Sequence, residues 1–122
     1  MVTDIYAECN AAGGMTNWSF DKDPKRLGFQ CARYKVVAKL LEGKDRVLEV
    51  GSADGFGARI VRQHVALVDA VDYDPESIRQ AILNGSERWP ITFSTHDILN
   101  GPLLGYDAVY CLDLFEHIRE EE

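Results

Sequence analysis

Two hydrophobic rhythms divide the chain. From Leu27 to Leu41, apolar residues recur at intervals of three and four: Leu27, Cys31, Tyr34, Ala38 and Leu41. That spacing puts them on one face of a helix. Asp23–Pro24 supplies its start, with Asp as N-cap and Pro at the first helical position, and Gly43 supplies its stop. Residues 1–22 are rich in small and polar types, include Gly13–Gly14, and predict irregular or weakly helical chain.

After Arg46 the rhythm changes to short apolar runs separated by helix-length segments. Val47–Val50 predicts a strand ending at Gly51, and Phe56–Val65 a helix with Ile60, Val61 and Val65 inward. Ala66–Val71 predicts a second strand, closed by Asp72. Asp74–Pro75 repeats the capped helix start, with Ile78, Ala81 and Ile82 on one face as far as Asn84–Gly85. Ile91–Ser94 and Ala108–Leu112 predict the third and fourth strands, with a turn at Gly101–Pro102, and Leu114–Glu122 begins one more helix. Strands alternating with helices mean right-handed βαβ units and an α/β fold with a doubly wound parallel sheet. The division is a lead segment, 1–46, followed by a half-domain, 47–122.

Composition narrows the class. The 122 residues are 46% hydrophobic and 27% charged, as expected of one globular domain with a real core. The net charge is −7, and it is uneven: residues 1–46 carry +2 and residues 47–122 carry −9. An acidic surface argues against nucleic-acid partners, whose phosphates need compensating cations. No apolar run reaches the ~18 residues of a membrane span. Met1–Asn10 carries Asp4 and Glu8 and lacks the basic start and apolar centre of a signal peptide. Cys9, Cys31 and Cys111 are odd in number and lack metal-ligand spacing, which predicts reduced thiols and a cytoplasmic location.

The chemistry concentrates at strand ends. Val47 to Gly57 reads strand, small-residue turn, helix start, with glycines at 51, 55 and 57. Such a turn brings backbone N–H groups close to an anionic ligand. The glycine spacing differs from Gly-x-Gly-x-x-Gly, and Glu49 lies two residues before the first glycine, so a pyrophosphate dinucleotide such as NAD is disfavoured. Asp72 ends the second strand beside the loop and can accept both hydroxyls of a ribose; Asp97 follows the third strand; Tyr73 offers an aromatic face to a purine. Acids after three successive parallel strands converge on one sheet edge, which suits a cationic nucleoside. Glu49 is hard to explain structurally, because an unpaired buried carboxylate is costly; it requires a ligand or loop amide as partner.

The segments Val47–Gly57, Val71–Ile78, Thr95–Ile98, Tyr106–Tyr110 and Leu114–Ile118 together resemble a class I S-adenosylmethionine-dependent methyltransferase over about residues 30–122, in the family's order and spacing. The resemblance implies a Rossmann-like sheet with S-adenosylmethionine as cofactor. Glu49, Gly51, Ser52, Ala53 and Gly55 would hold its methionine end. Asp72 would hold the ribose, Tyr73 would lie along the adenine, and Asp97 with Ile98 would read the adenine edge. Leu112 and Asp113 would face the methionine moiety and the transferred methyl. Two departures stand out. Ala53 replaces the middle glycine of the family's acid-x-Gly-x-Gly-x-Gly loop, a change the turn should survive with little loss. The family's sheet has seven strands, and this chain supplies the first four, so the fold is expected to be truncated after the fourth strand.

Other readings of the same residues bound the expectation. Asp74 is an N-cap before Pro75, and Asp97 is of a type common wherever a strand gives way to a loop. Asp113, Glu116 and His117 invite a metal, but Asp113 and Glu116 have capping-box spacing, so no metal is expected; Asp113 and His117 remain the candidate catalytic groups. Trp18, Phe20 and Tyr34 either cover the cofactor or pack on the sheet, and packing is the expected role. No Asn/Asp-Pro-Pro-aromatic motif follows the fourth strand, which argues against the amino-methylating nucleic-acid enzymes and points to a small-molecule or O-directed acceptor. Ala108–Leu112 would form an apolar sheet edge. Either another chain covers that edge, making a homo-oligomer, or the chain is part of something longer. The function expected is methyl transfer; the alternative is a non-catalytic nucleoside-binding module that associates through the fourth strand.

Overall fold

The computed structural model describes residues 12–112. Two lead helices, α1 (Gly14–Lys22) and α2 (Pro24–Leu40), precede an alternating series. It runs β1 (Arg46–Val50), α3 (Phe56–Arg62), β2 (Leu67–Asp72), α4 (Pro75–Leu83), β3 (Thr92–Thr95) and β4 (Ala108–Cys111), with a 3-10 turn at Ile98–Asn100. The four strands form one sheet in the order β3-β2-β1-β4, and every pairing is parallel. Strand order reverses between β2 and β4 across β1, which is the topological switch point where open α/β sheets bind ligands.

Helix starts follow the sequence signals where those are local. Asp23 accepts from the Arg26 amide and Asp74 from the amides of Glu76 and Ser77, each with Pro at the next position. α1 has no such local signal: its N-cap is Gly13, which has no side chain to cap with. Asp54, from the loop after β1, accepts from the Thr16 amide at 2.9 Å and from the Thr16 hydroxyl at 3.1 Å. A residue 38 positions away therefore caps this helix.

The pleat sorts β1 into two faces. Val47 joins Tyr34, Ala38, Ala58, Val61 and Val68 in the core beneath α2 and α3. Leu48 and Val50 point the other way and pack with Val71, Ile98, Leu103 and Tyr106. Glu49 shares the Val47 face, so a carboxylate is turned into the helix-covered core, where it has 0% exposure. Among the described residues β4 pairs with β1 alone, as the sequence leads one to expect, and Val109 is exposed on it. No helix among the described residues is long and apolar enough to cross a membrane.

Candidate functional site

The loop from Gly51 to Gly55 turns sharply because several residues adopt left-handed backbone. Gly51 and Gly55 have φ of 84° and 82°, and Ala53 between them has φ of 49°. Strand β2 holds the loop down: the Val71 carbonyl accepts from the amides of Gly51 (2.8 Å) and Ser52 (3.1 Å). Asp72 finishes the fastening, with one carboxylate oxygen accepting from the Ala53 amide at 2.8 Å and the other from the Asp74 amide at 2.9 Å. Each of those oxygens has a second lone-pair site, so the carboxylate is oriented but not exhausted.

A cavity of about 360 Å³ opens above this loop. Its floor is Gly51, Ser52, Ala53 and Asp54, and Asp72 and Tyr73 form one side. The lead helices close the other side through Thr16, Ser19, Leu27, Gln30 and Tyr34. Ser52 is only 2% exposed, and among the described residues its hydroxyl has no hydrogen-bond partner. A buried hydroxyl left unsatisfied is costly, so its place on a cavity floor marks it as a group with a ligand partner to gain. Arg26 is the one basic side chain among the described residues lining the cavity, against three aspartates.

Glu49 does not line the cavity but lies behind its wall, at the hydroxyl end of Tyr34. Its two oxygens accept from the hydroxyls of Tyr34 (2.5 Å) and Tyr110 (2.6 Å). Burial pushes its carboxyl up to about 7, partly offset by the hydroxyl bonds from Tyr110 and Tyr34, while the charge of Asp72 raises it further. Both tyrosines are raised well above the ordinary phenol range, by burial first and by the Glu49 charge second. The two rings meet edge to face, their centroids 6.4 Å apart.

A profile of the methyltransferase-domain family matches residues 47–122. The chain belongs to that family. Among solved structures, it is similar to magnesium protoporphyrin IX methyltransferase from Synechocystis PCC 6803 with bound S-adenosylmethionine, at 23% identity and a TM-score of 0.64, over 99% of this chain and 60% of that one. It is also similar to DhpI, solved as a complex designated DhpI-SAM-HEP (20% identity, TM-score 0.64, 88% of this chain and 48% of that one). A third likeness is to the N-methyltransferase NodS from Bradyrhizobium japonicum WM9 (21% identity, TM-score 0.59, 73% and 50%). No curated protein matches the chain. This methyltransferase domain thus spans about half the length of these structures and carries the N-terminal strands of their fold.

Within the domain, the structure gathers Gly51, Ser52, Ala53, Asp72, Tyr73 and Leu112 around one cavity. It does not bring in the rest of the expected set. Glu49 is sealed off by its tyrosines, so the required partner is neither a ligand nor a loop amide. Gly55 lines a separate hollow of about 260 Å³ with Arg59 and Phe93, because Phe93 crowds it from beyond the loop: a β-carbon there would lie 2.6 Å from that ring. Asp97 caps the 3-10 turn by accepting from the Leu99 amide at 2.9 Å, and Ile98 packs on the opposite sheet face. Asp113 and His117 lie outside the described residues.

Most of the loop amides are already engaged. The amides of Gly51, Ser52, Ala53, Gly55 and Phe56 all have partners inside the protein. Thr16 and Ser19 also line the cavity, from a lead segment whose sequence carries no motif. Trp18 and Phe20 are exposed rather than packed on the sheet, whereas Tyr34 both packs and lines the cavity. Among the described residues no group of three or more His, Cys, Asp and Glu side chains could hold a metal.

Proposed function

We propose that this domain binds S-adenosylmethionine in the cavity above the Gly51–Gly55 loop and passes its methyl group to a small-molecule acceptor. The observation that carries the reading is the unpartnered Ser52 hydroxyl on the floor of a cavity that Asp72 also lines. A volume of about 360 Å³ falls within the range of small-ligand sites. The structures it resembles include methyltransferases solved with bound S-adenosylmethionine or S-adenosylhomocysteine.

The residues present fit such a ligand. Asp72, oriented by the Ala53 and Asp74 amides, keeps a lone-pair site on each oxygen for the two ribose hydroxyls. Tyr73, 71% exposed at the rim, offers its ring to the adenine. Arg26 supplies the positive charge for the methionine carboxylate. Ser52 gains its missing partner from the same ligand. The sulfonium brings an activated methyl, so this chain's side chains have only to position it and exclude water.

A nucleic-acid acceptor is disfavoured by the −9 charge of residues 47–122. The test is single-turnover transfer of a labelled methyl group from S-adenosylmethionine to a panel of small hydroxyl- and amine-bearing acceptors. Transfer to any member, abolished by Asp72→Ala, supports the reading. Nucleoside binding with no transfer to any acceptor would instead make the chain a binding module.

A further inference from the structure

The feature that methyl transfer does not absorb is the buried trio of Glu49, Tyr34 and Tyr110. A fully buried carboxylate with both oxygens held by short hydroxyl bonds is expensive to build. An apolar trio would have packed the same space more cheaply. Tyr34 links the trio to the site: its hydroxyl donates to Glu49, while its ring is part of the cavity wall and presses on Gly57. We infer that Tyr34 is a positioning residue that holds the Glu49 carboxylate behind the cavity wall, so that the cavity distinguishes a sulfonium ligand from its neutral thioether product. This rests on the reading of the cavity as an S-adenosylmethionine site.

The argument is electrostatic. S-adenosylmethionine and S-adenosylhomocysteine share the ribose, adenine and amino-acid groups, and they differ by one methyl and one positive charge at sulfur. Contacts from Asp72, Tyr73 and Arg26 meet the shared parts and treat both alike. A negative charge behind the Tyr34 wall also acts on the part that differs, and its burial keeps water from screening it. That charge exists only while Glu49 is ionised. Facing Glu49 are Tyr34 from α2, Tyr110 from β4 and Asp72 from β2; Asp54 and Arg33 act on Tyr34. The tyrosine hydroxyls donate to the ionised form and favour it, whereas burial and the Asp72 charge oppose it. Removing either hydroxyl must therefore move the ionisation of Glu49 to higher pH. A preference for the charged ligand that fades after transfer would also help the product leave.

The experiment is calorimetric titration of the full chain with each ligand separately between about pH 5.5 and about pH 8.5. In wild type, the ratio of the S-adenosylhomocysteine Kd to the S-adenosylmethionine Kd should rise roughly tenfold across that range. Tyr34→Phe should shift the midpoint of the rise to higher pH. Tyr110→Phe should do the same without touching the cavity wall, so it carries the test if Tyr34→Phe folds poorly. Glu49→Gln should leave the ratio flat at its low-pH value. A wild-type ratio that does not change with pH overturns the inference and leaves the cofactor site intact. So does a Tyr34→Phe variant that weakens both ligands equally with the midpoint unmoved, since that is only a packing defect. If wild type takes up neither ligand, the site reading and this inference fail together.

Discussion

The ring of Tyr34 fills the space that a side chain at Gly57 would need. A β-carbon built on Gly57 collides with three atoms of that ring, so α2 and the first turn of α3 meet through a glycine. The contact places the lead helix over the loop, and the bond from the Tyr34 hydroxyl to Glu49 fixes the ring from its far end. The requirement for glycine here is one of space, because Gly57 has ordinary helical backbone.

Gly57→Ala should therefore destabilise the domain. Alanine gains up to about 1 kcal/mol in helix propensity. Displacing a buried ring that is also hydrogen-bonded costs more, about 1–3 kcal/mol from overpacking alone. Chemical denaturation should show a lower midpoint for the variant. A midpoint equal to or above wild type would mean that the ring moves freely.

Ala53 predicts a change of the opposite sign. Its φ of 49° puts an L side chain in the left-handed region, where glycine sits without penalty. The turn survives the alanine, as the sequence suggested, but it carries strain. Ala53→Gly should raise stability by up to about 1 kcal/mol, the relief of strain exceeding the extra chain entropy. Thermal melts of the two proteins check this, and a lower melting temperature for the glycine variant would contradict it.

Glu49 makes stability depend on pH. Its carboxyl is raised from 4.5 to about 7 by burial, so the folded chain holds that proton more tightly than the unfolded chain does. The stabilisation from that difference is complete below the ordinary carboxylate value and is lost as pH rises through about 7. Glu49→Gln cannot ionise and escapes the loss. Between about pH 4.5 and about pH 7.5 the stability of the Gln variant relative to wild type should rise by up to about 3 kcal/mol. Denaturant titrations at the two ends of that range measure it, and an unchanged difference would contradict a raised Glu49.

The parts of this molecule legible in its sequence are those whose causes are local. Pro24 and Pro75 after their capping aspartates marked two helices to the residue, and the apolar runs marked four strands to within one or two positions. Asp72 was legible because a strand end next to a glycine loop has one place to be. α1 is legible only as irregular or weakly helical chain because its cap, Asp54, comes from another part of the chain. Glu49 was read as a ligand contact because its two tyrosines lie 15 residues before it and 61 after it. The helical period predicted that Tyr34 faces inward, but only the packing of α2 on the sheet brings its hydroxyl to Glu49. Asp97 stays ambiguous in the sequence because capping a turn and reading a base edge call for the same residue in the same place; the structure shows the cap.

The central claim is that Asp72 anchors an adenosyl ligand in the cavity beside Ser52. Calorimetric titration with S-adenosylhomocysteine, wild type against Asp72→Ala, tests it most directly. Losing the charge-assisted bonds to a ribose should weaken binding about 10- to 100-fold, with the circular dichroism of the free proteins unchanged. Equal affinity in the two proteins, or no heat of binding in wild type, would contradict the account.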